Sequence, residues 1–190
     1  FDAYLHYVEE DHSKRELLTL IDSMTTNKTS FFRELAHFDY LTNTILPLWS
    51  RRSDVRIWSA GCSSGEEPYS LGMLLVDKLA KAQSARILAT DISDSILEQA
   101  RRGIYRADQI TDIPPHYVKT YLVESDPEHY SVVQPIRSLI RFANLNLMGR
   151  WPMRGPFDLI LCRNVMIYFD RQTQERLVNR YYEMLRPGGY

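Results

Sequence analysis

Val55-Arg-Ile-Trp-Ser-Ala-Gly-Cys-Ser-Ser-Gly-Glu-Glu-Pro-Tyr-Ser70 is a short apolar run that breaks into a turn of small residues and restarts with two acids. Strand, tight loop and helix N-terminus in that order are how α/β proteins present backbone N–H groups to a ligand. Gly61 and Gly65 let the chain turn sharply and let a ligand approach bare backbone. Glu66 and Glu67 decide what kind of ligand. Both carboxylates would repel a pyrophosphate, so the loop suits a molecule with hydroxyls and a cationic centre.

S-adenosylmethionine meets that description better than a dinucleotide does. A second apolar run, Arg86-Ile-Leu-Ala-Thr-Asp91, ends in an acid 26 residues after Gly65. In a nucleotide-binding βαβ unit the acid that closes the second strand accepts hydrogen bonds from the ribose hydroxyls, and Asp91 is the candidate. The alternative is that Asp91 caps the next helix, as Ser93 or Asp94 also could.

At 190 residues and 44% hydrophobic content the chain can bury one good core and a small accessory unit. A net charge of -1 gives no sign of general nucleic-acid or anionic-membrane binding. The apolar runs are too short for a transmembrane span or a signal peptide. Two cysteines, Cys62 and Cys162, make neither a disulfide framework nor a zinc site, and the expected compartment is a reducing cytoplasm.

Three regions separate along the chain. Residues 1–50 read as a partial helical segment: Ser13-Lys14-Arg15-Glu16 has the form of a capping box, followed by Leu17, Leu18, Leu20, Ile21 and Met24. A second helix, carrying Phe31, Phe32, Leu35, Phe38, Leu41 and Ile45 at spacings of three and four, is expected to stop at Pro47. The polar run 25–30 between them reads as a solvated turn with a cap.

From residue 55 strands and helices alternate. Strands are predicted at 55–60, 86–90, 138–143 and 157–162, and helices at 66–82, 94–102 and 171–185. Such alternation builds a doubly covered parallel sheet, the Rossmann-like α/β class, from residues 51–103 and 138–190. Residues 104–137 are too long for an ordinary connection and read as an inserted subdomain, part helix and part strand.

Four stretches together resemble one family. Met24-Thr-Thr-Asn-Lys-Thr-Ser-Phe-Phe-Arg-Glu34, Trp58 to Ser70, Ala89-Thr-Asp-Ile-Ser93 and Phe157-Asp-Leu-Ile-Leu-Cys-Arg-Asn-Val-Met-Ile-Tyr-Phe169 are similar, in order, to the motifs of the CheR chemotaxis receptor methyltransferases. The resemblance extends to Gly103-Ile-Tyr-Arg106 and to Leu185-Arg-Pro-Gly-Gly-Tyr190. It implies a class I S-adenosylmethionine-dependent methyltransferase fold. The implied activity is transfer of a methyl group to glutamate side chains on the cytoplasmic helices of chemoreceptors, giving γ-glutamyl methyl esters and S-adenosylhomocysteine.

The resemblance also implies roles. Asn27, Thr29 and Arg33 would reach the cofactor, and Arg33 would pair with its carboxylate or orient the incoming glutamate. Glu67 would contact the aminoacyl end, although Ser64-Gly-Glu-Glu67 is itself a capping box. Asn146 and Leu147 would flank adenine, Asn164 and Val165 would line the cofactor, and Tyr168 would border the methyl and the substrate carboxylate. For Tyr168 the competing reading is aromatic packing beside Phe169. A glutamate carboxylate is already ionised at neutral pH, so the reaction needs positioning and water exclusion rather than a base.

Two departures qualify the resemblance. Leu122-Val-Glu-Ser-Asp-Pro-Glu-His-Tyr130 lacks the glycine-rich turn with which family members dock a receptor's C-terminal pentapeptide, so an enzyme independent of that tether is expected. The sequence starts inside the family's N-terminal helical domain and stops at Gly188-Gly-Tyr190, where a fifth strand is expected to begin. Rival readings are a non-catalytic S-adenosylmethionine sensor or docking module, and a nicotinamide-dependent oxidoreductase; Gly61-Cys-Ser-Ser-Gly65 lacks the G-x-G-x-x-G spacing of the latter.

Three structural expectations follow. Asn27, Arg33, Gly61, Glu67, Asp91, Asn146 and Asn164 should converge at the carboxyl ends of the strands. Cys62 and Cys162 should be free thiols at the ends of adjacent strands, the sheet order being 3-2-1-4. The strand at 157–162 should be left with an open apolar edge that nothing later in the chain covers.

Overall fold

The computed structural model describes the chain except Phe1, Lys14, Thr25, Thr26, Arg51 and Ser53, and except the side chains of Asp2, Arg15, Leu18, Ile21 and Gln83. Parts of the expected capping box, of the first apolar face and of the polar run therefore lie outside the described residues. At the start of the second helix it is the Asp11 carboxylate that accepts the N–H of Glu16, at 2.8 Å.

The centre is a parallel sheet of β1 (Arg56–Ala60), β2 (Arg86–Asp91), β6 (Ile140–Asn144) and β7 (Leu159–Leu161), in the spatial order β6-β2-β1-β7. This is the expected 3-2-1-4 order. Successive residues of a strand face opposite sides, and the cores follow that period. Ile57, Ile87 and Leu159 enter one core; Trp58 enters the other. The first core lies under α5 (Glu66–Lys78) and takes in Phe31, Phe38 and Trp49 from the N-terminal segment; α6 (Asp94–Arg102) adds Leu97 to a small adjoining cluster. The second core lies under α9 (Arg171–Met184), where Trp58 meets Trp151 and Tyr181 edge-on at 4.8 and 5.3 Å. Both faces are covered, which is what an apolar parallel sheet requires.

The N-terminal helices α1 (Asp2–Glu10) and α2 (Arg15–Met24) are joined by the Tyr4 hydroxyl, which donates to Glu16. The next helix differs from expectation at both ends. It begins at Leu35 rather than Phe31, because Phe32 and Glu34 take positive φ angles of 51° and 59° and make 31–34 a turn. It does not stop at Pro47. From α3 (Leu35–Tyr40) it passes through a π-helical turn, Leu41–Ile45, into α4 (Leu46–Trp49). Pro47 sits in the first turn of α4, where its missing N–H is tolerated.

The segment after α6 forms its own antiparallel sheet, β3 (Ile104–Arg106), β5 (His129–Val132) and β4 (Leu122–Asp126) in that spatial order, with α7 (Pro115–Tyr121) between β3 and β4. A short helix, α8 (Gln134–Arg137), returns the chain to β6, which is why that strand starts at Ile140 rather than at 138. Tyr105, Tyr117, Leu122 and Val132 belong to the same core as α5.

The free edge of β7 corrects the sequence reading. Phe157 bridges Leu185 in parallel, the Tyr190 N–H donates to Asp158 O at 3.0 Å, and the Ile160 N–H donates to Tyr190 O at 2.9 Å. The last residues thus pair with the edge that was expected to stay open. Asp158, just before β7, keeps its backbone bond to Arg56 O at 2.8 Å, and its buried carboxylate binds Arg52 at 2.5 Å and Arg186 at 2.7 Å and accepts the Arg56 N–H at 2.7 Å. The cysteines are both free, and they follow the paired strands β1 and β7 as expected.

Candidate active site

One cavity of about 510 Å³ opens at the carboxyl ends of all four parallel strands. Gly61 follows β1, Asp91 closes β2, Leu145 to Leu147 follow β6, and Arg163 to Val165 follow β7. The N-terminal segment closes it with Asn27, Thr29 and Arg33. The residues to which the family motifs give a site role all line this cavity: those three, Gly61, Glu67, Asp91, Asn146, Leu147, Asn164, Val165 and Tyr168, whereas Gly65 and Glu66 do not.

The loop after β1 is held by short-range geometry. Gly61 has φ +85°, and a Cβ there would lie 2.3 Å from Val165 Cγ2. Its N–H and that of Cys62 donate to Thr90 O, tying the loop to β2. Asp91 accepts from the Ser63 N–H at 2.8 Å through Oδ2 and from the Ser93 N–H at 3.2 Å through Oδ1. The cap of α6 is Ser93, whose hydroxyl accepts from Ile96 N–H. Asp91 is therefore not that cap, and each of its oxygens keeps a further lone pair facing a cavity.

The two glutamates divide. Glu66 is buried, and the Ser64 hydroxyl donates to it at 2.6 Å. Gly65, at φ 98°, is the helix N-cap, so Ser64 and Glu67 do not form a capping box. Glu67 instead lies on the cavity wall, accepting from the Ser59 hydroxyl at 2.7 Å and from Arg163 at 3.1 Å. Burial pushes the Glu67 carboxyl above its usual range, opposed by Ser59 and Arg163. Burial, with Asp91 and Glu67 adding to it, pushes the Cys62 thiol well up, so Cys62 is no thiolate nucleophile.

The loop after β6 is set from the far face of the sheet. Arg180 on α9 donates to Leu147 O and Gly149 O, both at 2.8 Å, while its guanidinium lies 3.7 Å from the centre of the Trp151 ring. Asn146 makes turn contacts too, its side-chain oxygen accepting from Met148 N–H. Tyr168 ends a short turn, Met166–Tyr168, is 59% exposed and enters no ring pair among the described residues, while Phe169 is the one packed on the core. The aromatic-packing reading of Tyr168 does not hold. Arg33 donates to Lys28 O and makes no ion pair among the described residues. Sequence reasoning missed Arg163, which reads locally as a charge at a strand end but joins Glu67, Glu34 and the Arg33 carbonyl.

A 3-2-1-4 parallel sheet with a glycine-bearing first loop, an acid closing its second strand and a cavity across all four strand ends defines a nucleotide-binding α/β domain of the class I methyltransferase type. The fold is shared with the glycopeptide N-methyltransferase MtfA solved with sinefungin, at TM-score 0.50 and 12% identity over 87% of this chain and 50% of that one. Residues 27–190 match the CheR methyltransferase, SAM binding domain. The chain is 42% identical over 200 aligned positions to a chemotaxis protein methyltransferase of Borreliella burgdorferi and 39% over 194 to that of Escherichia coli. All of this chain is covered in both, against 71% and 67% of those proteins. The chain belongs to the CheR methyltransferase family and is an S-adenosylmethionine-binding methyltransferase domain. No helix among the described residues is long and apolar enough to cross a membrane.

Proposed function

We propose that the chain methylates glutamate side chains on the cytoplasmic helices of chemoreceptors, giving γ-glutamyl methyl esters in the cytoplasm. The observation that supports this best is the meeting, in one cavity, of the eleven residues that the family motifs single out. The donor set suits S-adenosylmethionine. Bare backbone at Gly61 leaves room for a close approach, Asp91 offers lone pairs for two ribose hydroxyls, and Glu67 offers negative charge for an ammonium.

When bound, S-adenosylmethionine supplies a methyl on a sulfonium, a leaving group activated by its own charge. Asn146 and Leu147 would flank the adenine, the Leu147 carbonyl being held by Arg180, and Asn27, Thr29, Asn164 and Val165 complete the wall. Arg33 pairs with the cofactor's carboxylate, and Tyr168, exposed at the mouth, borders the incoming glutamate carboxylate. No histidine is among the described lining residues, and none is needed, because a glutamate is ionised near pH 7 without a base. Catalysis then rests on alignment and on stripping water from the nucleophile, and alignment alone is worth about 7 kcal/mol or more.

The connection Asp126-Pro-Glu-His129 between β4 and β5 has no glycine, which supports action without a pentapeptide tether. The test is incubation with methyl-labelled S-adenosylmethionine and purified cytoplasmic receptor fragments, followed by alkali. Label released as volatile methanol is expected, since esters hydrolyse. Label that survives alkali on the receptor would point to N-methylation and refute the glutamate assignment.

A further inference from the structure

Arg163 is the densest polar node of the cavity. Its Nη1 donates to Glu67 Oε2 at 3.1 Å; its Nη2 donates to the Arg33 carbonyl and lies 3.3 Å from Glu34 Oε2. The guanidinium sits 5.7 Å from the centre of the Phe38 ring. Only 11% of the side chain is exposed, and Glu67 is buried to a similar degree at 13%. A surface ion pair would contribute little, but this one is desolvated and shared among three acceptors.

The turn it grips is strained. Phe32 and Glu34, on either side of Arg33, both have positive φ, a conformation that a residue with a Cβ avoids. That turn persists because it is held from two sides: the Ser70 hydroxyl on α5 accepts the Phe32 N–H at 3.0 Å, and Arg163 and Asn164 take the Glu34 carboxylate. The second anchor fixes, from the strand end, where Arg33 enters the cavity.

We propose that Arg163 is a positioning residue for the amino-acid end of the cofactor, one guanidinium fixing both the Glu67 carboxylate and the turn that carries Arg33. The inference rests on the cofactor site described above and adds to it a residue that acts through two others. A lysine cannot replace it, since a single ammonium lacks the planar fork that spans both partners.

The test compares two ligands that share the adenosyl part. S-adenosylhomocysteine carries the amino-acid chain, and 5′-methylthioadenosine does not. In Arg163→Met, calorimetry is expected to show S-adenosylhomocysteine binding weakened tenfold or more and 5′-methylthioadenosine binding changed by less than twofold. Arg163→Lys is expected to lose most of the same preference, and its use covers the case in which the methionine variant does not fold. Equal weakening of both ligands would mean a general structural role and overturn the proposal; an unchanged preference would overturn it as well. Those outcomes leave the cofactor site standing, whereas wild-type protein that binds neither ligand would remove the site and the inference together.

Discussion

Gly61→Ala is the sharpest probe of the cavity floor. The new methyl would lie 2.3 Å from Val165 Cγ2, in a conformation with φ +85° that a residue bearing a Cβ avoids. The conformational part costs about 1–2 kcal/mol. Relieving the contact means moving Val165 by more than 1 Å or forcing it off its rotamer, an overpacking cost of about 1–3 kcal/mol. The sum, about 2–5 kcal/mol, corresponds to a fall in Tm of about 5–15 °C for a chain of this size. Chemical denaturation of the single variant, of Val165→Ala and of the double variant separates the two parts, because alanine at 165 removes the clashing atom and leaves the backbone cost. The Gly61→Ala penalty is expected to shrink to about 1–2 kcal/mol in the Val165→Ala background. An equal penalty in both backgrounds, or one below about 0.5 kcal/mol in the first, would show that β1 and β7 do not meet at this floor.

Asp91→Ala should weaken S-adenosylhomocysteine by about 1.5–3 kcal/mol through lost hydrogen bonds to a charged acceptor, read by calorimetry; unchanged affinity would limit Asp91 to bracing Ser63 and Ser93. Asp158→Ala removes the buried acceptor shared by Arg52, Arg186 and the Arg56 N–H, leaving both arginines with Asp54, and should cost about 1–3 kcal/mol in urea unfolding, with a loss under about 0.5 kcal/mol contradicting the buried clamp. Burial raises the folded-state pKa of Glu66 above the ordinary 4.5, so the stability its protonated form lends is present below pH 4.5 and is lost as pH rises through the raised value. Glu66→Gln should therefore match or exceed the wild type in Tm at pH 7 and lose that advantage towards pH 4; the reverse trend would refute the assignment. Arg180→Ala frees the Leu147 and Gly149 carbonyls and should weaken 5′-methylthioadenosine, as fluorescence or calorimetric titration would reveal.

The parts legible in the sequence were those written in local periodicity and in strand-loop-helix order. Val55 to Ser70 gave strand, turn and helix because apolar, glycine and acidic residues fall where each element needs them, and Asp91 follows from the end of the next apolar run. The missed parts depend on partners far along the chain. Arg163 bonds residues 96 and 130 positions away, so no window of sequence reveals it. The positive φ at Phe32 and Glu34 is imposed by Ser70 and by the strand end after β7, against local preference. Helix continuation through Pro47 goes with a π-helical turn, Leu41–Ile45, that places Pro47 in the first turn of α4, where no donor is needed. The pairing of Tyr190 with the edge of β7 needed the path of the chain after α9, which its composition does not encode.

The central claim is that one cavity at the four strand ends holds S-adenosylmethionine with its amino-acid end at Glu67. A crystal structure of the chain with S-adenosylhomocysteine measures it directly. The expected result places the ribose hydroxyls on Asp91, the adenine between Asn146 and Leu147, and the ammonium beside Glu67, with Arg33 at the amino-acid carboxylate and Tyr168 at the sulfur. A ligand bound elsewhere, or bound here with its adenine at Glu67 and its amino acid at Asn146, would contradict the account.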